Sequence, residues 1–564
     1  MNTATDFPEL FLKHADVFNN ARRVCKERNH WTAFADSPAA YPNYEQAQEE
    51  GLQTFEQHIN TVYEIDQPGI LRYIGSEVSP YTKKSLGIQY PLSDLDSLFN
   101  AAEQSIHDWS CSRIENRIGI LLEAIQQIYT HHIFELTHAV MHTTGQSFNM
   151  AYTGSGANAL DRGIEALVYA YEAMASVTTE AHWVRQFGSA SVALEKTYRL
   201  IPKGVAVCFS CASFPTWNAL PSIMASLATG NAVIVKAHPA TILPVALVIR
   251  VIRKVLEENN FSKDLITLAL DTPEHPIGKD IIKHPKTAIV DFTGSVNFGR
   301  WVEQNAYPAI CFTETAGCNT VVISEVDDLK AVMHSLATTI CMFSAQMCTS
   351  PQNIYISKHG VKTPDGIVSF EDVTNLLVDS IKAIATNPKR ASMILATIQS
   401  EATLSLIKDI EQQVLSCGRV LLESHSYPHP SYPDARTATP LVVQVTTAER
   451  HLYSEEKFGP IVFVIACESD EDALRQATQD VREFGGLTAF AYAKDSHFVQ
   501  QCEDLYARAG AQLTLNLTGP MPLNFAAAYS DYHVTGLNSA GNASLTDASF
   551  IAGRFRIAQS RKPV

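Results

Sequence analysis

The chain predicts an α/β fold built on parallel sheets, and three observations carry that expectation. From residue 204, short apolar β runs alternate with helical stretches: GVAVCF, NAVIVKA, LITLAL, TAIVDF and AICFTE are each followed by a polar break and most by a helix. A second alternating region opens with TVVIS (residues 320–324) and continues to about residue 515. The β runs are apolar throughout rather than at every second position, which is the pattern of strands covered on both faces.

Taken in order, residues 1–90 are mixed and rich in Tyr, Glu, Gln and Pro, and predict a helical N-terminal extension. A helix pair follows over about 92–109 and 112–142; Ile118, Leu121, Leu122, Ile125 and Ile128 recur at helical spacing. HTTGQ breaks that pattern. GSGANALDRG (154–163) faintly matches a Gly-rich nucleotide fingerprint, but it follows a helical stretch instead of a strand, so it reads as a loop. Between the strands, helices are expected over about 242–258, 277–284 and 296–306. The polar stretches KAHPAT, TGS and ETAG fall at strand ends, where ligands bind in such sheets. The tail, TGLNSAGNAS, is polar and Gly- and Asn-rich before a final helix.

The totals exclude several classes. A hydrophobic fraction of 46% and a mean hydropathy of −0.03 suit a packed globular protein, and no run of about 18 uncharged apolar residues predicts a membrane span. The N-terminus lacks a signal peptide's basic start and apolar core. A net charge of −16 speaks against nucleic acid as a main partner. Eleven cysteines, an odd number, read as reduced thiols in a cytoplasmic protein. Cys208 and Cys211 form C-x-x-C without a second pair or adjacent histidines, so no metal site is expected.

Four short clusters could carry chemistry. FTGS (292–295) lies at a strand-to-helix junction, where Gly294 permits close backbone approach and Ser295 with free helix-start N–H groups suits a phosphate. ETAG (314–317) puts a carboxylate, a potential general base, at a strand end. FSAQMC (343–348) presents Cys348 between a helical stretch and the β-like IYI; a thiol there is either buried structure or a nucleophile that needs a neighbourhood favouring thiolate. EEKFGP (455–460) sets a glutamate two residues before a Phe-Gly-Pro turn.

In this order and spacing, with GNAVIVK (230–236), these clusters resemble the aldehyde dehydrogenase superfamily over about residues 95–560. The resemblance implies a Rossmann-type cofactor domain (91–319), a catalytic α/β domain (320–515), and a tail (516–564). That tail, with an oligomerisation segment at about 176–200, joins subunits into a homodimer or homotetramer. It implies Cys348 as nucleophile and Glu314 as general base. It puts Lys236 and Glu456 on the two riboses of NAD(P), Thr293, Gly294 and Ser295 at the pyrophosphate turn, and Thr315 and Phe458 against the cofactor. The implied reaction is oxidation of an aldehyde to an acid through a Cys thioester.

The wording of SFPTWNALPSIMASLATGNAVIVKAHPA and SPYTKKSLGIQYP is similar to the phenylacetate-degradation (PaaN/PaaZ-like) branch, here without the hydratase domain of bifunctional members. That implies a semialdehyde from aromatic breakdown, free or CoA-linked. A CoA-acylating enzyme and an inactive binding subunit are the alternatives; Glu314 argues against the first, the retained Cys348 and Glu456 against the second. Two departures stand out. Ungapped counting puts the family's oxyanion-holding asparagine on Ser213, with Asn218 five residues later. Where NAD-preferring members carry a glutamate, three residues after Lys236, this chain has Pro239. With His238 beside it able to donate to a 2′-phosphate, NADP is expected to serve at least as well as NAD.

Overall fold

The computed structural model describes residues 8–315, 317–533 and 548–564. Five strands form a parallel sheet in the spatial order Ile266–Ala269, Ala232–Lys236, Val205–Phe209, Thr287–Gly294, Ile310–Thr315. Along the chain these are strands 3-2-1-4-5, so the winding reverses between the first and the fourth, and a crevice opens beyond their carboxyl ends. The central strands are buried at every position, which is why their sequences do not alternate. Helices Pro215–Ala228, Leu243–Glu258, Gly278–Lys283 and Val296–Asn305 make the crossovers. Pro215 sits in the first helical turn, where its missing N–H costs nothing.

A second sheet has seven strands. Leu441–Thr446, Ile461–Cys467, Asn353–Ser357, Thr320–Ile323, Thr488–Tyr492 and Gln512–Leu515 run parallel, and Arg419–Leu422 joins one edge antiparallel. Its two faces are covered by separate apolar clusters, one around Phe463 and Tyr506, the other around Leu336 and Ile381.

Three expectations are corrected. GSGANALDRG is not a loop: residues 153–157 form a π turn that runs into the helix Asn158–Ala175. Its glycines are packing residues; a Cβ on Gly156 would lie 2.8 Å from Ile133 Cδ1. The N-terminal extension is helical only to His58 (Ala15–Glu27, Tyr44–His58), after which Ile70–Ile74 pairs with Tyr90–Ser93. The chain ends in a strand, Phe555–Pro563, after a short helix Ser549–Ala552.

The extension is tied into the cofactor domain by polar contacts. Gln67 pairs with both backbone groups of Leu268 (2.8 and 3.0 Å), closing the edge of the five-stranded sheet. Glu77 accepts from the N–H groups of Ile242 and Leu243 (2.6 and 2.9 Å) at the start of the helix Leu243–Glu258, and burial pushes its carboxyl up to about 7. The terminal segment is anchored by Arg554, fully buried between the rings of Phe312 and Phe550. It donates to both oxygens of Asp291 (2.6 and 2.8 Å) and to Ser226 Oγ (2.7 Å).

Residues Glu180–Phe187, Ala190–Pro202 and Phe555–Pro563 form an antiparallel three-stranded arm. Val184, Phe187, Val192 and Ile557 are exposed on it.

Candidate active site

The FSAQMC segment owes its shape to three consecutive left-handed residues. The helix Leu329–Cys341 ends, and Phe343, Ser344 and Ala345 take φ of 47°, 49° and 52°. Side chains with a Cβ avoid this region at a cost of about 1 kcal/mol or more each, so the surroundings must impose it. Ser344 Oγ donates to Leu395 O (2.9 Å), and Gln346 Nε2 donates to Phe343 O (3.1 Å) and Thr397 O (2.8 Å). Downstream, Asn319 Nδ2 donates to the carbonyls of Cys348 (2.7 Å) and Ser350 (2.9 Å), while its Oδ1 accepts from the N–H groups of Leu487 and Thr488. The loop is thereby fixed to the second sheet, and Cys348 is held out of the core, half-buried.

Glu314 ends the last strand of the cofactor sheet and is almost fully buried. His533 Nε2 lies 2.7 Å from Glu314 Oε1 and 3.6 Å from Cys348 Sγ. The three groups offer atoms within 4.8 Å of one another. The imidazole is 3% exposed and stands edge-on to Trp217, with ring centroids 4.7 Å apart. Burial, with the Glu314 carboxylate second, holds the Cys348 thiol well above its ordinary value. The neighbourhood therefore does not lower the thiol, as a nucleophile alone would need; a base in contact must take the proton. Glu314 Oε2 has no partner among the described residues.

Two cavities meet at Cys348 and Asn218. The larger, about 1100 Å³, lies beyond the carboxyl ends of the cofactor strands. At one end Lys236 Nζ stands 2.6 Å from Asp271 Oδ1. His238 lines the same end; burial, then the Lys236 ammonium, pushes its imidazole down to about 4, so it is neutral near pH 7 and can only donate or accept a hydrogen bond. In the middle Ser295 caps the helix Val296–Asn305 by accepting from Phe298 N (3.4 Å), with Thr293 and Gly294 beside it. A Cβ on Gly294 would lie 2.7 Å from the Phe292 ring. Phe209, Phe292 and Phe298 supply flat apolar wall. Towards Cys348 stand Glu456, whose carboxyl burial pushes up to about 8, and Phe458; Gln352 Oε1 fixes their loop by accepting from Lys457 N (2.5 Å). The smaller cavity, about 370 Å³, is walled by Phe214, Trp217, Met342, Met347, Met393 and Phe525, with neither a cationic nor a carboxylate side chain among the described residues that line it.

A thiol and a carboxylate at the junction of a long polar crevice and an apolar pocket are what the motif order led us to expect. The family model described as "Aldehyde dehydrogenase family" matches residues 76–511. The chain belongs to the aldehyde dehydrogenase family. A crystal structure of an NAD-dependent aldehyde dehydrogenase from Burkholderia multivorans is 39% identical, covers 99% of both chains and gives a TM-score of 0.94. A vanillin dehydrogenase of Corynebacterium glutamicum is 23% identical over 432 residues, 75% of this chain and 82% of that protein. A 1-pyrroline-5-carboxylate dehydrogenase from Thermus with bound NAD shares the fold at 15% identity and a TM-score of 0.73, over 95% of this chain and 99% of that one. Curated relatives are matched over unequal shares of their own length, 47% of one and 86% of another.

Against the aldehyde dehydrogenase pattern, Lys236, His238, Thr293, Gly294, Ser295, Glu456, Phe458 and Ser213 all line the cofactor-side cavity together with Glu314 and Cys348. Thr315 does not. Strand alternation turns it away from Glu314 and onto the helix Val296–Asn305, where its Cγ2 would be 2.3 Å from a Cβ on Gly299. The large cavity fits a dinucleotide: flat apolar wall, a helix start for phosphates, and ribose-hydroxyl partners occur along one crevice that ends at the thiol. Three residues escaped sequence reasoning. His533 lies 185 positions from Cys348 and outside any motif. Asn319 is the second residue after ETAG, and its short polar side chain gave no hint that it fixes the nucleophile loop. Asp271 comes from the neighbouring strand and supplies a carboxylate where Pro239 supplies none.

Proposed function

We propose that this chain oxidises an apolar aldehyde, with an aromatic or branched body, to the carboxylic acid through a thioester on Cys348. The observation that carries the reading is the convergence of Cys348 Sγ, His533 Nε2 and Glu314 Oε1 where the two cavities meet. The aldehyde's carbon chain lies in the smaller cavity with its carbonyl at Cys348. The thiol proton passes to the Glu314–His533 pair as sulfur bonds to the carbonyl carbon. NAD(P), when bound in the crevice, accepts the hydride. Water then attacks the thioester, Glu314 takes a proton from it, and the acid leaves while the sulfur regains its proton. Lys236, Asp271 and Glu456 hold ribose hydroxyls, and the Ser295 helix start holds pyrophosphate.

Glu314 at the site favours water over CoA as acyl acceptor. The cavity chemistry also bears on the substrate. Aromatic-compound breakdown remains the setting that the phenylacetate-like wording supports, but an apolar pocket without a cation suits a free aldehyde better than an acidic or CoA-linked one. The exposed apolar arm supports contact between copies of the chain, and eleven free thiols suit a reducing, cytoplasmic setting. No helix among the described residues is long and apolar enough to cross a membrane.

The test is reduced-cofactor formation with a panel of aromatic, branched, acidic and CoA-linked aldehydes, using NAD or NADP, with and without CoA. Apolar aldehydes should give the highest kcat/KM and free acid the product; acyl-CoA as main product would refute the hydrolytic step. Cys348→Ala should abolish turnover while cofactor still binds, and Glu314→Gln should give a burst followed by a slow steady state.

A further inference from the structure

Adding sulfur to a carbonyl puts a negative charge on the oxygen, and that charge must be met by donors already in position. The Cys348 N–H makes no hydrogen bond to a backbone acceptor among the described residues and supplies one. The side-chain donor is the open question, because the position that should carry an asparagine is Ser213. Its hydroxyl lies 4.0 Å from Cys211 Sγ, and it lines only the cofactor-side cavity.

The amides near Cys348 can be sorted by what already occupies them. Gln146 Nε2 donates to Ser155 Oγ and to Ser213 O. Asn319 uses both ends to fix the loop. Asn524 borders the substrate side only, 3.7 Å from Met347 Sδ. Asn218 differs from all three. It is 2% exposed, sits in the first turn of the helix Pro215–Ala228, and borders both cavities alongside Cys348. Nδ2 has one partner, Cys211 Sγ at 3.0 Å, and Oδ1 has none among the described residues. An amide nitrogen has two hydrogens, so one is left over. A sulfur acceptor is weak, and burial keeps the Cys211 thiol protonated. The start of a helix adds positive potential at the same place.

We propose that Asn218 supplies the side-chain hydrogen bond to the oxyanion formed at Cys348, replacing an amide lost at position 213 with one reaching in from five residues further along. Cys211 holds that amide in orientation. The inference rests on Cys348 being the acyl-carrying nucleophile, and not on the identity of the aldehyde or on the oxidation itself.

The test compares Asn218→Ala, Asn218→Asp and Ser213→Ala in the full-length protein with three readouts: aldehyde oxidation, cofactor-independent hydrolysis of a p-nitrophenyl ester, and alkylation of Cys348 by iodoacetamide. Ester hydrolysis also passes through an oxyanion on Cys348; alkylation does not. Asn218→Ala should lower both acyl-transfer rates by about 10²–10³-fold, with alkylation within about threefold of wild type, and its loss should exceed that of Ser213→Ala at least tenfold. Asn218→Asp, similar in shape but anionic, should lose as much or more, and covers the case in which the alanine variant folds poorly. A loss larger for Ser213→Ala than for both Asn218 variants, or parallel loss of alkylation in both, would overturn the proposal. Wild-type ester hydrolysis without aldehyde oxidation would instead refute the oxidation reading and leave Asn218 testable on the ester.

Discussion

Replacing Asp271 by asparagine isolates one charge at the adenosine end of the crevice. Asp271 Oδ1 stands 2.6 Å from Lys236 Nζ, its Oδ2 accepts from Ile277 N at 3.1 Å, and the side chain is 4% exposed. Asparagine keeps the shape and an acceptor for Ile277 while removing the charge. A 2′-phosphate on a ribose bound by Lys236 would come within ~4–5 Å of this carboxylate. At an effective dielectric of about 20, each pair of unit charges at that range repels by about 3–4 kcal/mol. The Lys236 ammonium cancels roughly half, leaving about 1.5–2 kcal/mol against NADP, or about 10–30-fold in kcat/KM. Wild type should therefore favour NAD. Asp271→Asn should raise kcat/KM for NADP by that factor while moving the value for NAD by less than about threefold. The gap should narrow as salt is added, because the crevice opens to solvent. The assay is initial rate with each cofactor at saturating aldehyde, at low and high ionic strength. An NADP value in the variant within threefold of wild type would show that Asp271 does not face the 2′ position.

Three further outcomes follow from named groups. Burial raises Glu456 to about 8, so it is largely neutral at pH 7 and becomes a stronger ribose acceptor as pH rises through 8. The apparent KM for NAD should fall between about pH 7 and pH 9, and Glu456→Gln should flatten that slope. By linkage, the same raised acid stabilises the fold at low pH, and that contribution is lost as pH rises through about 8. Arg554→Met strands the buried Asp291 carboxylate and should cost about 3–5 kcal/mol in chemical denaturation, whereas Asp291→Leu combined with Arg554→Met should cost clearly less; equal losses would mean that the carboxylate is not left uncompensated. Val184→Asp with Ile557→Asp should lower the solution mass if the arm joins subunits, and a wild type that sediments as a monomer at micromolar concentration would remove that role from it.

What the sequence made legible was whatever rests on local periodicity. Strands buried on both faces read as unbroken apolar runs, and each of the five cofactor strands lies within two residues of its expected place because tight packing of Val205–Phe209 or Ala232–Lys236 leaves little choice of register. The helix over 154–163 was illegible because its glycines look like turn residues until Ile133 and Phe214 are seen against them. Position 239 could be read for its own side chain but not for Asp271 across the sheet. His533 was beyond reach for the same reason: a lone histidine in a polar tail carries no spacing signal, and only tertiary structure brings it to Cys348.

The resting site keeps its reactivity low and its hydrolytic step ready. Burial and the Glu314 carboxylate together hold the Cys348 thiol protonated, so a buried sulfur does not stand as a reactive anion before substrate arrives. A single imidazole nitrogen spans both partners, 3.6 Å from the sulfur and 2.7 Å from the carboxylate, which gives the thiol proton a path to the base at the moment the carbonyl approaches. The two carboxylate oxygens then divide the work. Oε1 is engaged by His533, and Oε2 has no partner among the described residues, although a buried lone pair of this kind costs about 1–3 kcal/mol. That cost is recovered when water enters to cleave the thioester and donates to Oε2. Histidine thus orients the base for the second half of the reaction through the contact that links it to the nucleophile in the first.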